Sequence, residues 1–151
     1  MNKTVKLGDG PEVSRIGYGT MQLPGKGVWG ESEDPAGAVE VLRKAVELGI
    51  DFFDTADSYG PFVAEDLLRE ALHPYDGITV ATKAGLIRTG PGQWHQIGRP
   101  EYLRFALEMS LRRLGVDQID LFQLHRIDSQ VPAEEQIGVL KDMKDEGKTN
   151  Q

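Results

Sequence analysis

Apolar and polar positions alternate along the chain in a way that divides it into short strands and amphipathic helices. Four segments repeat apolar residues at helical spacing, and each follows a short apolar run typical of a buried strand. The predicted strands cover residues 13–20, 50–54, 78–82 and 119–124. The predicted helices cover residues 35–48, 63–72, 100–114 and 132–147. This strand–helix order indicates a parallel sheet with helices outside it.

Spacing also predicts which face of each helix is buried. The first helix follows Asp34, a good N-cap, and Pro35, which suits a first turn. Its predicted inner face is Ala38, Val41, Leu42, Ala45 and Leu48. The second is predicted to use Val63, Leu67, Leu68, Ala71 and Leu72, and the third Leu103, Leu107, Ser110, Leu111 and Leu114. The fourth is predicted to use Ile137, Leu140 and Met143.

The remaining segments read as turns and loops. A turn signal at residues 8–11, flanked by Val5, Leu7 and Val13, predicts a hairpin over residues 1–13. Residues 22–33 and 84–98 are rich in glycine and polar side chains, so we expect them to be loops.

Composition removes several functional classes. The 151 residues include no cysteine, which excludes disulfides and thiolate metal sites. A net charge of -7 without a basic block argues against nucleic acid as a partner. No apolar run reaches the length of a membrane span. A cytoplasmic protein with a small-molecule partner is therefore the expectation.

Two parallel architectures compete for this pattern. A doubly wound nucleotide-binding sheet normally carries Gly-x-Gly-x-x-Gly after its first strand, but here Gly17 and Gly19 are followed by Gln22 at the third position. A TIM-type barrel needs roughly 200 residues or more. We therefore predict an α/β fold of the (β/α)8 TIM-barrel type, represented by four βα units over residues 14–148 after the hairpin, with no second domain.

Four reactive side chains follow the predicted strands. Asp54, Lys83 and His125 each stand at a strand end, and Tyr59 lies in the loop after Asp54. Catalytic groups of such barrels lie at the carboxyl ends of the strands, so we expect these four to converge. Each of the four alone also has an ordinary structural explanation. A strand-end aspartate commonly caps a turn, a tyrosine is commonly half-buried, and a lysine or histidine is commonly solvated or hydrogen-bonded.

Together these groups suit carbonyl reduction. A free tyrosine, with a pKa of about 10, donates its proton poorly at neutral pH, whereas a neighbouring lysine cation stabilises the phenolate. Asp54 can hold Lys83 in place, and His125 can orient a substrate carbonyl. A hydride donor then attacks carbon while Tyr59 protonates oxygen.

Two tryptophans and the three histidines of the chain are further candidates for function. Trp29 and Trp94 lie in rim loops, where they could wall a substrate pocket or simply anchor the loops. His73, His95 and His125 lack the spacing of metal ligands, so we expect no metal.

At this point the sequence resembles the aldo-keto reductases, from Met1 to about Lys148. Four segments carry the resemblance: Gly17-Tyr18-Gly19-Thr20-Met21, Asp54-Thr55-Ala56-Asp57-Ser58-Tyr59-Gly60, Ala81-Thr82-Lys83-Ala84-Gly85 and Asp120-Leu121-Phe122-Gln123-Leu124-His125-Arg126. The second is highly specific, and the others gain weight from their order.

The resemblance implies a catalytic tetrad, a cofactor and a reaction. The family's Asp, Tyr, Lys and His fall on Asp54, Tyr59, Lys83 and His125. The implied reaction is NADP(H)-dependent reduction of aldehydes and ketones. Gly19, Thr20, Met21 and Asp54 are implied to lie by the nicotinamide and its ribose. The hairpin is implied to plug the bottom of the barrel.

The resemblance covers the first half of the family's pattern. The family's later cofactor contacts fall outside it, so we expect the chain to be a truncated or partial form of a longer enzyme. Unpaired strand edges would also favour self-association, in which two copies close one barrel. The alternative is a non-catalytic binding or regulatory protein that keeps the reductase framework.

Overall fold

A computed structural model describes residues 4–151 of the chain. Met1, Asn2 and Lys3, the start of the predicted hairpin, lie outside the described residues. The elements run in the order β1 (Thr4–Lys6), β2 (Glu12–Ser14), β3 (Tyr18–Gly19), α1 (Pro35–Glu47), β4 (Phe52–Asp54), α2 (Val63–Leu72), β5 (Thr79–Ala84), β6 (Leu86–Gly90), β7 (Gln93–Gln96), α3 (Pro100–Leu114), β8 (Leu121–Leu124) and α4 (Ala133–Asp145).

The central sheet has four parallel strands in the order β3–β4–β5–β8, with helices in the connections. This is the strand–helix arrangement predicted, and it forms a partial barrel. Phe53, Leu68 and Leu107 have no exposed surface, which places the core between the sheet and the helices. Burial of such side chains supplies about 1.5–3 kcal/mol each.

The leading hairpin pairs β1 with β2, and Val5 lies opposite Val13. The Ser14 amide donates to a carboxylate oxygen of Asp51 over 2.8 Å. Asp51 directly precedes β4, so this bond ties the hairpin to the amino-terminal end of the sheet. The hairpin therefore lies at the end opposite to the candidate reactive groups.

Helix α1 begins as predicted and buries three of the five residues predicted for its inner face, but the edge of that face differs at Val41 and Leu48. Asp34 caps it by accepting a hydrogen bond from the Gly37 amide over 3.0 Å. Val41 and Leu48, predicted to be inside, are 46% and 74% exposed, whereas Val39 is buried. The buried stripe runs through Ala38, Val39, Leu42 and Ala45. The prediction was wrong because both stripes have helical spacing, and packing against α2 selects between them.

Helix α4 departs from the prediction in a similar way. Ile137 is 57% exposed, and the neighbouring Gln136 is fully buried. The side-chain amide nitrogen of Gln136 donates to the backbone carbonyls of Asp128 and Val131. Its side-chain oxygen accepts from the backbone amide of Asp128. A polar side chain replaces an apolar one inside because it satisfies the backbone of the β8–α4 loop.

Residues 84–98 form a second hairpin, where the sequence predicted a loop. Strands β6 and β7 pair antiparallel, with Ile87 opposite His95. Pro91 and Gly92, the latter with φ +68°, occupy the turn between Gly90 and Gln93. Pro followed by a left-handed Gly is typical of a tight turn. The pattern missed this hairpin because few of its side chains are apolar.

The last residues of the chain pair with the strand β8. Thr149 forms a parallel bridge with Ile119, and the Phe122 amide donates to the carbonyl of Gln151 over 2.8 Å. The Asn150 amide donates in turn to the carbonyl of Ile119. This segment adds a further parallel neighbour on the far side of the sheet from β3.

Among residues 4–151, none of the helices combines the length and apolar character that crossing a bilayer requires.

Candidate active site

Parallel register brings the candidate groups to one rim of the sheet. Asp54 pairs with Ala81 of β5, and Ala84 pairs with Leu124, directly before His125. Beyond β4 the chain continues across β5, because the Asp57 amide donates to the carbonyl of Lys83 over 3.2 Å. The loop that carries Tyr59 is thereby held above the end of β5.

Lys83 is the centre of the cluster. Its ammonium donates to a carboxylate oxygen of Asp54 over 2.7 Å and to the carbonyl of Thr55 over 2.8 Å. The same nitrogen lies 3.4 Å from the Tyr59 hydroxyl. Only 13% of the Lys83 side chain is exposed, so its charge acts on these neighbours with little screening by water.

His125 completes the set from the other side of Tyr59. The two rings meet edge to face with centroids 5.7 Å apart. Burial, aided by the positive charges of Lys83 and Arg126, lowers the pKa of His125 to about 4. The imidazole is therefore neutral at physiological pH. Its Nδ1 lies 3.3 Å from the hydroxyl of the buried Ser58, which is a hydrogen-bond partner for that nitrogen.

A cleft of about 840 Å³ opens above these groups. It is lined by Met21, Tyr59, Leu86, Trp94, His95, Gln96, His125, Arg126, Asp128, Ser129 and Gln130. Trp94 comes from the β6–β7 hairpin and meets Tyr59 edge to face at 6.4 Å. Trp29 is not among the lining residues. The structure therefore places Trp94 in the wall of the cleft and Trp29 outside it.

The four expected cofactor positions occupy different environments. Gly19 is exposed, and a side chain added there would meet no atom within 4 Å, so space is open above its backbone. Met21 is 39% exposed and the Asp54 carboxylate 36%, on the same rim. Thr20 is fully buried, and its hydroxyl bonds to Thr55 and to the carbonyl of Asp54. Gly19, Met21 and Asp54 are therefore accessible to a bound ligand. Thr20 is not accessible and instead supports the rim through its hydrogen bonds.

Arg88 was not singled out by the sequence, although it is central to this rim. Its guanidinium lies 3.5 Å from the Trp94 ring centroid and 5.8 Å from that of Trp29. Burial lowers the pKa of Arg88. A lone arginine in a polar, glycine-rich segment gives no signal in a sequence pattern. Ser58, in contrast, could have been flagged because it adjoins Tyr59.

A buried polar cluster lies beneath the Tyr59 loop. Glu65 of α2 is fully buried, accepting from the Thr82 hydroxyl over 2.6 Å and from the Arg113 guanidinium over 2.5 Å. Asp57 is 3% exposed, and one of its carboxylate oxygens has no hydrogen-bond partner among the described residues. Burial, reinforced by the negative charge of Glu65, raises the pKa of Asp57 to about 8. Both acids were missed, although Glu65 interrupts the apolar stripe of α2.

Residues 4–151 contain no group of three or more His, Asp or Glu side chains arranged to hold a metal ion. The side chains of Asp54, Tyr59, Lys83 and His125 are themselves proton-transfer and hydrogen-bonding groups. A phenol beside a buried ammonium and a neutral imidazole is suited to donating a proton to a bound oxygen.

Comparison with known proteins places this geometry in a family. The sequence profile of the aldo/keto reductase family matches residues 15–151. The chain is 54% identical over 144 residues to an "uncharacterized oxidoreductase" of Schizosaccharomyces pombe, covering 95% of this chain and 47% of that one. It is 42% identical to pyridoxine 4-dehydrogenase of Escherichia coli, covering 89% and 50% respectively.

Solved structures agree with the sequence comparison. A holo form of an aldo-keto reductase from Bacillus halodurans superposes with a TM-score of 0.83 at 34% identity, over 98% of this chain and 48% of that one. A glycerol dehydrogenase from Gluconobacter oxydans gives 0.84 at 32% identity, over 97% and 46%. The chain thus spans about half the length of these relatives. Its partial barrel corresponds to part of their (β/α)8 barrels.

Proposed function

The chain belongs to the aldo/keto reductase family, and from that premise we propose that it serves NADP(H)-dependent reduction of small aldehydes and ketones to alcohols. One observation carries the proposal. The Tyr59 hydroxyl lies 3.4 Å from the Lys83 ammonium, which is held 2.7 Å from the Asp54 carboxylate, at the mouth of a cleft. This arrangement provides a proton donor with a charged partner.

In this proposal Tyr59 gives its proton to the carbonyl oxygen of the substrate. The Lys83 cation stabilises the phenolate that remains, because opposite charges at this distance attract strongly where water is scarce. Asp54 and the Thr55 carbonyl keep the ammonium beside the phenol. Asp54 is thus a positioning residue for Lys83.

His125 would orient the substrate. A neutral imidazole whose Nδ1 accepts a hydrogen bond from the Ser58 hydroxyl carries its proton on Nε2. That N–H can then donate to the carbonyl oxygen that Tyr59 protonates. The pKa of about 4 keeps this neutral form populated throughout the physiological range.

The cofactor assignment rests on the family and on the open rim. A nicotinamide cofactor supplies the hydride when bound. Gly19, Met21 and Asp54 present accessible surface on the tetrad side of the sheet and would contact it, with Thr20 supporting them from below. The preference for NADP(H), like a cytoplasmic location, remains a prediction. The names of the pyridoxine and glycerol dehydrogenases support alcohol–carbonyl interconversion in general.

The direct test is Tyr59→Phe in the full chain. The substitution removes the hydroxyl and leaves the ring, so we expect carbonyl reduction to fall by a factor of about 100 to 10,000, the range typical of general-acid catalysis. NADPH affinity, measured by quenching of tryptophan fluorescence, should stay within about twofold of the parent.

Tyr102→Phe is the matched control, because Tyr102 is partly buried on α3, outside the cleft. It should reduce carbonyls like the parent. Turnover by Tyr59→Phe at the parent rate would refute the assignment. A parent chain that binds NADPH yet reduces no aldehyde or ketone would favour the alternative of a non-catalytic binding protein.

A further inference from the structure

We propose that Arg88 is a positioning residue that determines how the enzyme discriminates among carbonyl substrates. By binding three loops together it fixes Trp94, the aromatic wall of the cleft, against Tyr59 and His125. This inference rests on the proposed function for its consequence in catalysis, but the contacts that carry it do not depend on that function.

The Arg88 guanidinium donates to carbonyl oxygens on three separate segments. Within its own hairpin it reaches Gln93 over 2.8 Å and Gly90 over 3.4 Å. On the β3–α1 loop it reaches Gly27 over 2.8 Å and Val28 over 2.6 Å. On the loop after β4 it reaches Ser58 over 2.8 Å. One side chain therefore ties the β6–β7 hairpin to both neighbouring loops.

The hairpin needs such an anchor. It has two strands only, and an isolated two-stranded hairpin is marginally stable in water. Among residues 4–151, its backbone tie to the β3–α1 loop is the Gly92 amide donating to Gly27, whereas the Ile97 amide donates to Gly85 and closes the base of the hairpin itself. Arg88 supplies more hydrogen bonds to the surrounding loops than these do.

The same guanidinium fixes the tryptophan. It stacks on Trp94 at 3.5 Å from the ring centroid, a distance at which a cation and an aromatic face attract each other. Trp94 meets Tyr59 at 6.4 Å and His125 at 6.5 Å between centroids. The placement of the Trp94 ring over the proton donor and the imidazole thus depends on Arg88.

Lysine cannot reproduce this arrangement. Arginine presents five N–H donors in a planar fork, which matches several carbonyls and stacks on a ring, whereas lysine offers one compact charge. Loss of the fork would remove the Arg88 hydrogen bonds to the carbonyls of Val28 and Ser58, of which Val28 keeps only the Gly60 amide as a donor within the described part of the chain, and would free Trp94. A large aromatic substrate depends on that wall, whereas a small aliphatic one does not.

The experiment compares Arg88→Gln and Arg88→Lys with the parent in the full chain. Arg43→Gln is the matched control, because Arg43 also donates to backbone carbonyls, those of Glu70 and Ala71, but on the outer helices. KM and kcat are measured for 4-nitrobenzaldehyde and for propanal. Hydrogen exchange of residues 86–96 is followed by mass spectrometry without any substrate.

For both Arg88 variants we expect KM for 4-nitrobenzaldehyde to rise about tenfold, with kcat for propanal within about threefold of the parent. Exchange of the hairpin amides should accelerate about tenfold or more. Arg43→Gln should change none of these values. Should Arg88→Gln fail to fold, Arg88→Lys and Trp94→Leu test the same prediction, since Trp94→Leu removes the wall directly.

Unchanged hairpin exchange in the Arg88 variants would overturn the proposal, as would a loss of kcat for both aldehydes at constant KM. A parent that reduces neither aldehyde would refute the proposed function instead. In that case the exchange data alone decide whether Arg88 holds the hairpin, so the two failures are distinguishable.

Discussion

Among the single residues, burial shifts the pKa values of two ionisable groups near Tyr59, and in both cases the shift favours the neutral form. The pKa of His125 is lowered to about 4 and that of Asp57 raised to about 8, in each case mainly because burial disfavours the charged form. In the proposed reaction, the neutral imidazole orients the substrate carbonyl. The protonated Asp57 avoids placing a second buried negative charge beside Glu65.

The Asp57 shift predicts how stability changes with pH. Its pKa is about 8 in the folded chain and about 3.8 when exposed, so between these values the folded state holds a proton that the unfolded state has lost. The stabilising contribution of Asp57 is therefore complete below about pH 4 and is lost as the pH rises to about 8.

Asp57→Asn should remove this dependence, because an amide mimics the protonated acid without ionising. We expect equal stability of variant and parent near pH 4, and a variant more stable by on the order of 5 kcal/mol at pH 9, because each unit of pKa shift corresponds to about 1.4 kcal/mol. Urea unfolding at both pH values measures the difference. The exposed Asp66→Asn serves as the control, and parallel pH profiles for Asp57→Asn and the parent would show the shift to be absent.

The candidate tetrad could be found from the sequence because its members follow strand ends, and strand ends are visible as apolar runs. Arg88 could not be found, because its importance arises from carbonyls on loops that are distant along the chain. Thr20 shows a further limit. The sequence motif places Thr20 at the rim of the sheet. Only the fold shows that its hydroxyl is hydrogen-bonded to Thr55 and to the carbonyl of Asp54 and is therefore not free to contact a ligand.

At the scale of elements, a buried ion pair joins two helices beneath the site. Arg113 of α3 donates to Glu65 of α2, which also accepts from Thr82 of β5. The Arg113 guanidinium further lies 4.2 Å from the Phe62 ring centroid, at the end of the Tyr59 loop. The pair therefore links α2, α3 and the sheet beneath the loop that carries Tyr59.

Arg113→Met should be strongly destabilising, because it leaves Glu65 as a buried carboxylate without its cation. We expect a loss of about 3–5 kcal/mol in the free energy of unfolding. Arg112→Met, on the exposed side of the same helix, should stay within about 0.5 kcal/mol of the parent. Similar losses in the two variants would mean that the ion pair has no special structural role.

The order of the four strand–helix units and the buried face of α3 followed from the sequence, whereas the faces of α1 and α4 and the polar pairings did not. Helix α3 buries the five residues that its spacing predicts. In α1 and α4 the residues Val41 and Ile137 were predicted to be buried but are exposed. Apolar character alone does not show which neighbours a helix packs against. The β6–β7 hairpin was missed since its stability comes from cross-strand pairing and from Arg88 rather than from an apolar face.

At the scale of the whole molecule, the sheet is an open arc. Within residues 4–151, β3 pairs only with β4, so one of its edges lacks a strand partner. Exposed apolar side chains include Ile16, near β3, and Val41 and Leu48 on the neighbouring helix α1. An unpaired edge beside exposed apolar surface favours pairing with another chain.

We therefore predict that the 151-residue chain self-associates through this edge. Sedimentation velocity at micromolar concentration should show a dimer or a larger species. Ile16→Lys should shift the distribution towards monomer, because a charge beside a strand edge opposes pairing, whereas Ile137→Lys on α4 should not. A monomer across the concentration range would refute self-association.

In the proposed reaction, hydride reaches a carbonyl carbon while Tyr59 protonates its oxygen. The measurement is transfer of deuterium from 4-deuterated NADPH to an aldehyde by the full chain, read by mass spectrometry of the alcohol, for the parent and for Tyr59→Phe. We expect deuterium on the carbinol carbon with the parent and at least about a hundredfold less with Tyr59→Phe, on the order expected for loss of a general acid. Equal transfer by both proteins, or none by a parent that binds NADPH, would contradict it.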